Sequence, residues 1–155
     1  MIVKAKISHA GEIARLAAKM WDSHEIEELT GEFAELLGKP EAAVFLWIAD
    51  GQPVGFAQVQ LRHDYVEGTD TSPVGYLEGV FVEAAYRKQG VAKKLLAACE
   101  SWAKEKGCTE FASDCELHNT QSLAFHLACG FEEANRIICF TKSLGAVRPK
   151  PQAGG

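Results

Sequence analysis

An apolar segment runs through a basic, glycine-containing turn into an amphipathic helix between residues 79 and 106. The first N–H groups of a helix have no partner within it, and the helix dipole adds positive potential, so such a turn can bind a diphosphate largely through main chain. Gly90 lets a ligand approach the backbone, and Arg87, Lys88 and Lys93 add positive charge. The spacing is neither the dinucleotide fingerprint nor a Walker loop, so an ordinary solvated turn remains an alternative.

Two acidic residues are candidates for proton transfer. Glu78 lies in the apolar segment from Tyr76 to Val82, and a buried carboxylate is costly unless it is paired or used. It is either one half of an internal salt bridge with an arginine or a base that also anchors an ammonium group. Asp114 ends a short predicted strand that should neighbour Glu78, and it either joins that acid or caps the next turn.

Two motifs resemble a known superfamily. Arg87-x-x-Gly90-x-Ala92 after an apolar strand is similar to the acetyl-CoA signature of the GNAT superfamily of N-acetyltransferases, (Arg/Gln)-x-x-Gly-x-(Gly/Ala). Downstream, Asn119 to Phe131 resembles the second cofactor segment of that superfamily with its closing Gly-Phe. The resemblance implies a mixed, mostly antiparallel sheet flanked by helices and splayed at a bulge in its central strand, with the pantetheine arm of acetyl-CoA in the gap.

The loops narrow the resemblance. Residues 62–68, Ser72-Pro73, 77–82 and 112–114 are similar to the aminoglycoside 6′-N-acetyltransferases, and the likeness covers nearly all of residues 1–144. Loops are where substrate choice is usually encoded. The resemblance therefore implies transfer of acetyl from acetyl-CoA to the 6′-amine of aminoglycoside antibiotics, which confers resistance, by direct attack in a ternary complex.

The resemblance also implies roles for individual residues. Glu78 and Asp114 would be catalytic and would bind the substrate amine. We favour a functional role for both, for Glu78 because it lies beside the implied acyl-binding bulge. Trp21 and Tyr65 match substrate-contacting aromatics, with a core role for Trp21 and a loop-closing role for Tyr65 as the alternatives. Gly79 suits the bulge. The implied cofactor contacts are Val80, Phe81, Val82, Arg87, Lys88, Gln89, Gly90, Val91, Ala92, Lys93, Asn119 and His126.

Some positions depart from the family pattern. His126 stands where many members of the superfamily have a tyrosine that protonates the leaving thiolate, so either imidazole serves or the thiolate leaves unassisted. Asn135 stands where related antibiotic-modifying enzymes can carry an acid near the partner subunit. His63 and His118 lack metal-ligand spacing, so we expect no metal site.

Hydrophobic periodicity predicts the elements that position these residues. The predicted strands are 2–7, 44–49, 54–61, 74–82 and 109–114, with a further strand or hairpin over 131–142. The predicted helices are one capped by Ser8 and running towards Met20, and three over 26–37, 90–106 and 119–129. Asp50-Gly51 between two strands predicts a tight antiparallel hairpin. Strands before and after the main helix indicate an α/β sheet of mixed direction.

Composition limits the class of protein. With 155 residues, 47% of them hydrophobic, we expect one domain over 1–144 and a disordered tail over 145–155. A net charge of −5 disfavours nucleic acid and favours cationic partners. No apolar run is long enough for a bilayer, and the start of the chain does not read as a signal peptide. The five cysteines lack ligand spacing and indicate reduced thiols in a cytoplasmic protein.

Two other functions remain open. An acetyltransferase for another small amine, such as a polyamine, or for a protein N-terminus would carry the same cofactor motifs. A non-catalytic module that binds acyl-CoA would carry them too, but it would not explain two acids beside the acyl site. The family resemblance finally implies a homodimer, formed through exchange of the last strands, which the apolar run 137–140 would suit.

Overall fold

The computed structural model describes residues 1–22 and 24–146. Within those residues, strands and α-helices follow one another in the manner of an α/β protein. The strands are β1 (Ile2–Lys4), β2 (Ala42–Ala49), β3 (Gln52–Arg62), β4 (Val74–Val82) and β5 (Phe111–Ser113). The helices are α1 (Ala10–Ala18), α2 (Ile26–Leu37), α3 (Val91–Glu105) and α4 (Thr120–Ala128), with short 3₁₀ turns at Ile7–His9 and Ala84–Tyr86.

The strands form one open sheet in the order β1-β2-β3-β4-β5. β1 to β4 pair antiparallel with their neighbours, whereas β5 runs parallel to β4. The prediction of a mixed, mostly antiparallel sheet flanked by helices is therefore confirmed. β4 and α2 have the bounds that the hydrophobic pattern predicts.

The hairpin between β2 and β3 turns at Asp50-Gly51. Their φ angles are 51° and 74°, which is the left-handed backbone that a two-residue hairpin turn needs and that Asp and Gly tolerate. Ala49 pairs with Gln52 directly across the turn. The Asp-Gly signature is confirmed as the hairpin signal.

Apolar side chains on the two faces of the sheet form two separate core clusters. On one face, α3 packs Leu95, Leu96 and Cys99 against β3 and β4. On the other face, α1 and α2 pack against β2 and β3, with Phe33 and Phe56 at the contact. This sandwich fixes the start of α3 beside the end of β4, and it brings the end of α1 over the opposite face of β4.

The entry into α1 differs from the prediction. Ser8 is not a helix cap, because it is the middle residue of the 3₁₀ turn Ile7–His9 that precedes α1. In that turn, the backbone N–H of Lys6 donates to Nδ1 of His9 over 2.9 Å. α1 also ends at Ala18 rather than at Met20.

The strand or hairpin predicted over 131–142 is wrong for the chain as described. Residues 131–144 of the structure have no helix or strand assignment. Ile137, Ile138 and Phe140 are 66%, 80% and 87% exposed. The alternating apolar pattern is real, but a strand needs a neighbour for its backbone groups, and the described chain supplies none to this segment.

Two further predictions concern the tail of the chain and membrane-spanning segments. Of the predicted tail, residues 147–155 lie outside the described residues. Among the helices that are described, none has both the length and the apolar character to cross a bilayer.

Candidate active site

A β-bulge in β4 presents Glu78. Gln58 of β3 pairs with Gly79, while Val59 pairs with Leu77, so Glu78 has no residue opposite it. Leu77 packs within the α3 cluster, and Val80 packs against it. Because both of these side chains point to α3, Glu78 and Gly79 share the opposite face. The bulge that the resemblance implies at Gly79 is present, and Glu78 is its extra residue.

Glu78 is paired with Arg62, the last residue of β3. Arg62 Nε donates to Glu78 Oε1 over 3.0 Å, and Nη2 donates to Oε1 and Oε2 over 2.7 and 3.0 Å. The Glu78 side chain is only 15% exposed. The internal ion pair with an arginine, one of the two interpretations of this acid, therefore exists. It does not exclude the other, because a paired carboxylate is an ionised one.

The Arg62 guanidinium lies over the ring of Tyr76, and the Tyr76 hydroxyl in turn contacts Asp114. Arg62 Cζ is 3.4 Å from the centroid of the Tyr76 ring, a cation–π contact. The Tyr76 hydroxyl donates to Asp114 Oδ2. Glu78, Arg62, Tyr76 and Asp114 thus form one continuous network that joins both predicted acids.

Burial and charge act on this network in opposite directions. Burial raises the pKa of Glu78, and the hydrogen bonds and charge of Arg62 oppose that rise. Burial and the hydrogen bond to Asp114 raise the pKa of Tyr76, so its hydroxyl keeps its proton as a donor. Asp114 itself is exposed. The site therefore combines one enclosed and one accessible carboxylate.

Trp21 lies above the bulge on the face that Glu78 occupies. A Cβ added to Gly79 would stand 3.0 Å from Trp21 Cζ2. The other side of the indole stacks on Phe33 with an interplanar angle of 10° and meets Phe56 edge-on at 71°. Trp21 is thus a core residue that lies at the bulge, and its contact with substrate stays a prediction.

The edge of β4 beyond the bulge is not covered by β5. β5 pairs only with Gly75, Tyr76 and Leu77 among the described residues. Val80, Phe81 and Val82 therefore leave backbone groups on that edge for another partner. This is the splayed gap that the resemblance implies, and an extended ligand arm could pair there as an added strand does.

The turn from β4 into α3 has the backbone of an anion cradle. Lys88 and Gly90 have φ angles of 61° and 76°, and Gly90 is the N-cap of α3 without any side-chain cap. The first N–H groups of α3 are thus left for a ligand. Nothing lies within 4 Å of a Cβ at Gly90, so the approach is open.

The predicted basic side chains of this turn do not all face the cradle. Arg87 Nε donates to the carbonyl of Val82 over 2.8 Å, and its guanidinium lies 5.6 Å from the Phe81 ring. Gln89 donates to the carbonyl of Ala85. Lys88 and Lys93 are exposed. Arg87 and Gln89 therefore shape the turn, whereas Lys88 and Lys93 are exposed cations beside it.

α4 contributes a capping residue and a histidine. Asn119 Oδ1 accepts from the Ser122 backbone N–H over 3.1 Å as the N-cap of α4. His126 Nδ1 lies 2.7 Å from the Ser122 carbonyl oxygen, and Nε2 lies 2.8 Å from Ser113 Oγ. A carbonyl only accepts, so Nδ1 carries a proton. The Ser113 hydroxyl itself donates to the Leu77 carbonyl over 3.2 Å.

An acidic cleft of about 860 Å³ lies next to this network. It is bounded by residues 62–69, by β5 and the turn after it, by α4 and by residues 129–139. Its acidic lining residues are Glu67, Glu100, Glu110, Asp114, Glu116, Glu132 and Glu133, against the basic residues Arg62 and Arg136. Such a surface attracts polycations. Tyr65, Asp114 and His126 meet in this cleft, and Glu78 joins it through Arg62.

Polar contacts hold the walls of the acidic cleft. Glu110 Oε1 accepts from the backbone N–H groups of Asp70 and Thr71 over 2.9 and 2.8 Å. Asn135 Nδ2 donates to Glu67 Oε1 over 2.9 Å, so it ties the segment after α4 to the loop that carries Tyr65. Tyr65 itself is 76% exposed.

One of the loop histidines faces a carboxylate. His63 Nε2 lies 2.9 Å from Glu41 Oε1. Across the described residues, His, Cys, Asp and Glu side chains form no cluster that could hold a metal ion.

Sequence reasoning did not find Arg62, Tyr76 or Ser113. Arg62 was part of the loop motif similar to the family, yet it had no role, and only its pairing across β3 and β4 reveals one. Tyr76 is two residues before Glu78 in β4, so both point to the same face. The alternation of a strand could therefore have identified Tyr76 from the sequence.

Comparisons with known proteins agree with this geometry. The acetyltransferase (GNAT) family model matches residues 11–131. An aminoglycoside N(6′)-acetyltransferase type 1 from Stenotrophomonas maltophilia is 44% identical over 146 residues, which are 92% of this chain and 93% of that protein. A protein of the same name from Salmonella typhimurium (strain LT2) is 42% identical over 87% of this chain and 93% of its own.

Solved structures are similar over the same length. AAC(6′)-Iy in complex with the bisubstrate analogue CoA-S-monomethyl-acetylneamine has a TM-score of 0.88 at 40% identity, covering 92% of this chain and 97% of that one. The 6′-N-acetyltransferase AAC(6′)-IG from Acinetobacter haemolyticus, without ligand, has a TM-score of 0.88 at 37% identity, covering 94% and 99%.

Proposed function

The chain belongs to the GNAT family of acetyltransferases, and we infer that it transfers acetyl from acetyl-CoA to the 6′-amine of aminoglycoside antibiotics. Acetylation removes a positive charge that the drug needs, so the activity confers resistance. We assign this activity to one domain over residues 1–144.

One arrangement carries the proposal. The bulge places Glu78 at the point where the β4 edge opens, and α3 begins with free N–H groups at the end of the same strand. A pyrophosphate on the start of α3 and a pantetheine arm along residues 80–82 would bring a thioester to the bulge. The carboxylates of Glu78 and Asp114 would then meet the incoming amine.

The acids prepare the nucleophile. The substrate amine is mostly an ammonium ion at neutral pH, so it must lose a proton before its lone pair attacks the thioester carbonyl. Glu78 or Asp114 accepts that proton, directly or through water, and stabilises the bound cation. Attack forms the C–N bond and turns the carbonyl into a tetrahedral oxyanion. As this collapses, the C–S bond breaks, the sulfur leaves as a thiolate, and the nitrogen loses a second proton, which balances the one that the thiolate takes up. A backbone N–H near Val80 is the natural donor to the oxyanion.

His126 is the candidate for protonating the leaving thiolate. Ser113 and the carbonyl of Ser122 hold both of its ring nitrogens, so the imidazole has a fixed orientation. Asn119 supports it by starting α4 with a side-chain cap.

Cysteine chemistry has no part in the proposal. Cys99 is fully buried in α3, and burial raises the pKa of its thiol. A buried, protonated thiol is a poor nucleophile. Because the amine and the thioester are held together in one complex, direct transfer needs no covalent enzyme intermediate.

The acidic cleft favours a polycationic substrate. Seven acidic and two basic residues line it, and Tyr65 offers an aromatic face there for a sugar ring. Trp21 lies over Gly79 at the bulge and would line the approach to Glu78. An aminoglycoside carries several ammonium groups on rigid rings, so it matches both features better than a single small amine does.

A panel of amines tests the proposed function. Thiol release from acetyl-CoA is measured with kanamycin, tobramycin, spermidine, a peptide with a free N-terminus, and an aminoglycoside with a 6′-hydroxyl in place of the amine. We expect turnover of kanamycin and tobramycin, with the acetyl group on the 6′-nitrogen by NMR, and none of the 6′-hydroxyl compound. Turnover of spermidine or the peptide alone would redirect the assignment to another amine.

The active protein is, we propose, a cytoplasmic homodimer. The exposed apolar residues Ile137, Ile138 and Phe140 follow an alternating pattern that lacks a partner in the described chain, and a second copy would supply one. All five cysteines are free thiols, which suits a reducing compartment, as does the use of acetyl-CoA.

A further inference from the structure

We propose that Arg62 is a positioning residue of this reaction, which keeps the Glu78 carboxylate ionised and oriented on the bulge before the substrate amine arrives. The inference rests on the proposed function. It assigns a role to a residue that lies outside both acetyl-CoA motifs.

The hydrogen bonds fix the carboxylate of Glu78. Arg62 contacts both of its oxygens through three N–H···O bonds of 2.7 to 3.0 Å. A guanidinium is always charged and presents its donors in a rigid fork, so the pair has one geometry. The bulge leaves Glu78 without a residue opposite it on β3. Arg62 therefore orients its side chain, because no residue paired with it does so.

The guanidinium is itself held in place. Its Cζ lies over the Tyr76 ring, 3.4 Å from the ring centroid, and Tyr76 is 6% exposed. The Tyr76 hydroxyl is bonded to Asp114. A movement of Arg62 would therefore disturb a buried ring and the second acid together. Arg62 also lines the acidic cleft, so it stands between that cleft and Glu78.

The charges in the network set what it can accept. Arg62 from β3, Tyr76 on β4 and Asp114 after β5 are the charged or titratable groups that act on Glu78. On the side of the segment after α1, the nearest atoms to a Cβ at Gly79 are the apolar ends of Met20 and Trp21. The guanidinium balances one of the two carboxylates, and one ammonium group of the substrate would balance the other. Asp114, which is exposed and is bonded among the described residues to Tyr76, is the carboxylate left open to that cation.

Loss of Arg62 has a consequence with a definite sign. Burial favours the neutral form of Glu78, and Arg62 opposes it. Without the guanidinium, Glu78 would take up a proton at a higher pH. A neutral Glu78 can neither accept the amine proton nor hold an ammonium ion. The acidic limb of kcat/KM should then move to higher pH, and activity should partly return in alkaline buffer.

The test compares pH profiles of kcat/KM for the wild type, Arg62→Gln and Arg62→Lys with one aminoglycoside. We expect the acidic limb of Arg62→Gln to move up by about one pH unit or more, a tenfold or larger loss on that limb, with Arg62→Lys between it and the wild type. Arg15→Gln, in α1, is the matched control and should keep the wild-type limb. Coenzyme A affinity should change little in all of them.

A direct titration separates this inference from the proposed function. The Glu78 carboxyl carbon is followed by ¹³C NMR in the substrate-free protein, and its midpoint should rise in Arg62→Gln. If the wild type acetylates no amine, the proposed function fails while this titration can still be read. If the wild type is active but Arg62→Gln loses the same factor at every pH with an unmoved Glu78 midpoint, Arg62 is only structural and the inference is overturned. Arg62→Lys carries the same test if Arg62→Gln does not fold.

Discussion

The indole of Trp21 lies directly over the backbone of Gly79. A Cβ at residue 79 would stand 3.0 Å from Trp21 Cζ2 and 3.1 Å from Met20 Cε. Met20 ends in a flexible chain, but the indole packs against Phe33 and Phe56, with both ring centroids at 6.4 Å. The absence of a side chain at Gly79 therefore sets how closely Trp21 approaches the bulge that carries Glu78.

Gly79→Ala should displace the indole. We expect a loss of about 1–3 kcal/mol in the free energy of unfolding, as overpacking of a fitted contact typically costs. KM for the aminoglycoside should rise while coenzyme A affinity stays close to that of the wild type. Urea unfolding and steady-state kinetics measure both effects. Gly31→Ala in α2, where nothing lies within 4 Å of the new Cβ, should instead stabilise the protein by about 0.5–1 kcal/mol. Wild-type stability and KM in Gly79→Ala would refute the packing argument.

Gly90→Ala should weaken coenzyme A binding. Gly90 has a φ of 76°, and an alanine there is strained by roughly 1–2 kcal/mol. The methyl group has open space in the free protein, so the protein should fold, but a pyrophosphate on the first N–H groups of α3 would meet it. Isothermal calorimetry should show a lower affinity for coenzyme A in Gly90→Ala. The control Gly11→Ala in α1 should keep the wild-type affinity. Equal affinity in Gly90→Ala would place the diphosphate elsewhere.

Glu110 should make the stability of the 69–71 loop depend on acid. Hydrogen bonds from Thr71 and Asp70 lower the pKa of Glu110 from its ordinary value of 4.5. Because the pKa is lower in the folded protein, the ionised carboxyl stabilises the fold fully above about pH 5. This stabilisation is lost as the pH falls through the lowered pKa of the folded protein. The stability difference between the wild type and Glu110→Gln, from urea unfolding, should therefore shrink between neutral and strongly acidic pH. A difference that stays constant over this range would show that the loop contacts do not need the charge.

Ile138→Asp should convert a dimer into a monomer. Ile138 is 80% exposed, so the substitution costs the single chain little. In an interface between two copies, a buried unpaired carboxylate would cost several kcal/mol. Light scattering of the wild type should give twice the 16.9 kDa of the chain, and the variant should give one chain. A monomeric wild type would leave the apolar segment without this role.

Local patterns predicted the elements that depend on local physics. Asp50-Gly51 fixed the hairpin because its turn needs positive φ, and both residues have it. The apolar stripe from 26 to 37 and the apolar run from 74 to 82 gave α2 and β4 with their observed bounds. The acetyl-CoA motifs gave the family and the position of Gly90 before α3.

Features that depend on distant partners were not predictable in this way. The skipped pairing at Glu78 comes from the register between β3 and β4, which no single segment encodes. The Arg62 ion pair joins residues sixteen positions apart, and its arginine looked like the start of a polar loop. The predicted strand over 131–142 failed for the same reason, since alternation shows that a segment can pair but not that a partner exists.

The double variant Glu78→Gln with Asp114→Asn tests the central claim most directly. Both changes keep side-chain size and remove the two carboxylates that would accept the amine proton, so kcat/KM for the aminoglycoside should fall by about 10² or more. Coenzyme A affinity by calorimetry should remain near that of the wild type, because the cradle at α3 is intact. Glu105→Gln, an exposed residue near the end of α3, serves as the control. Wild-type turnover in the double variant would contradict the account and would leave these acids no part in acetyl transfer.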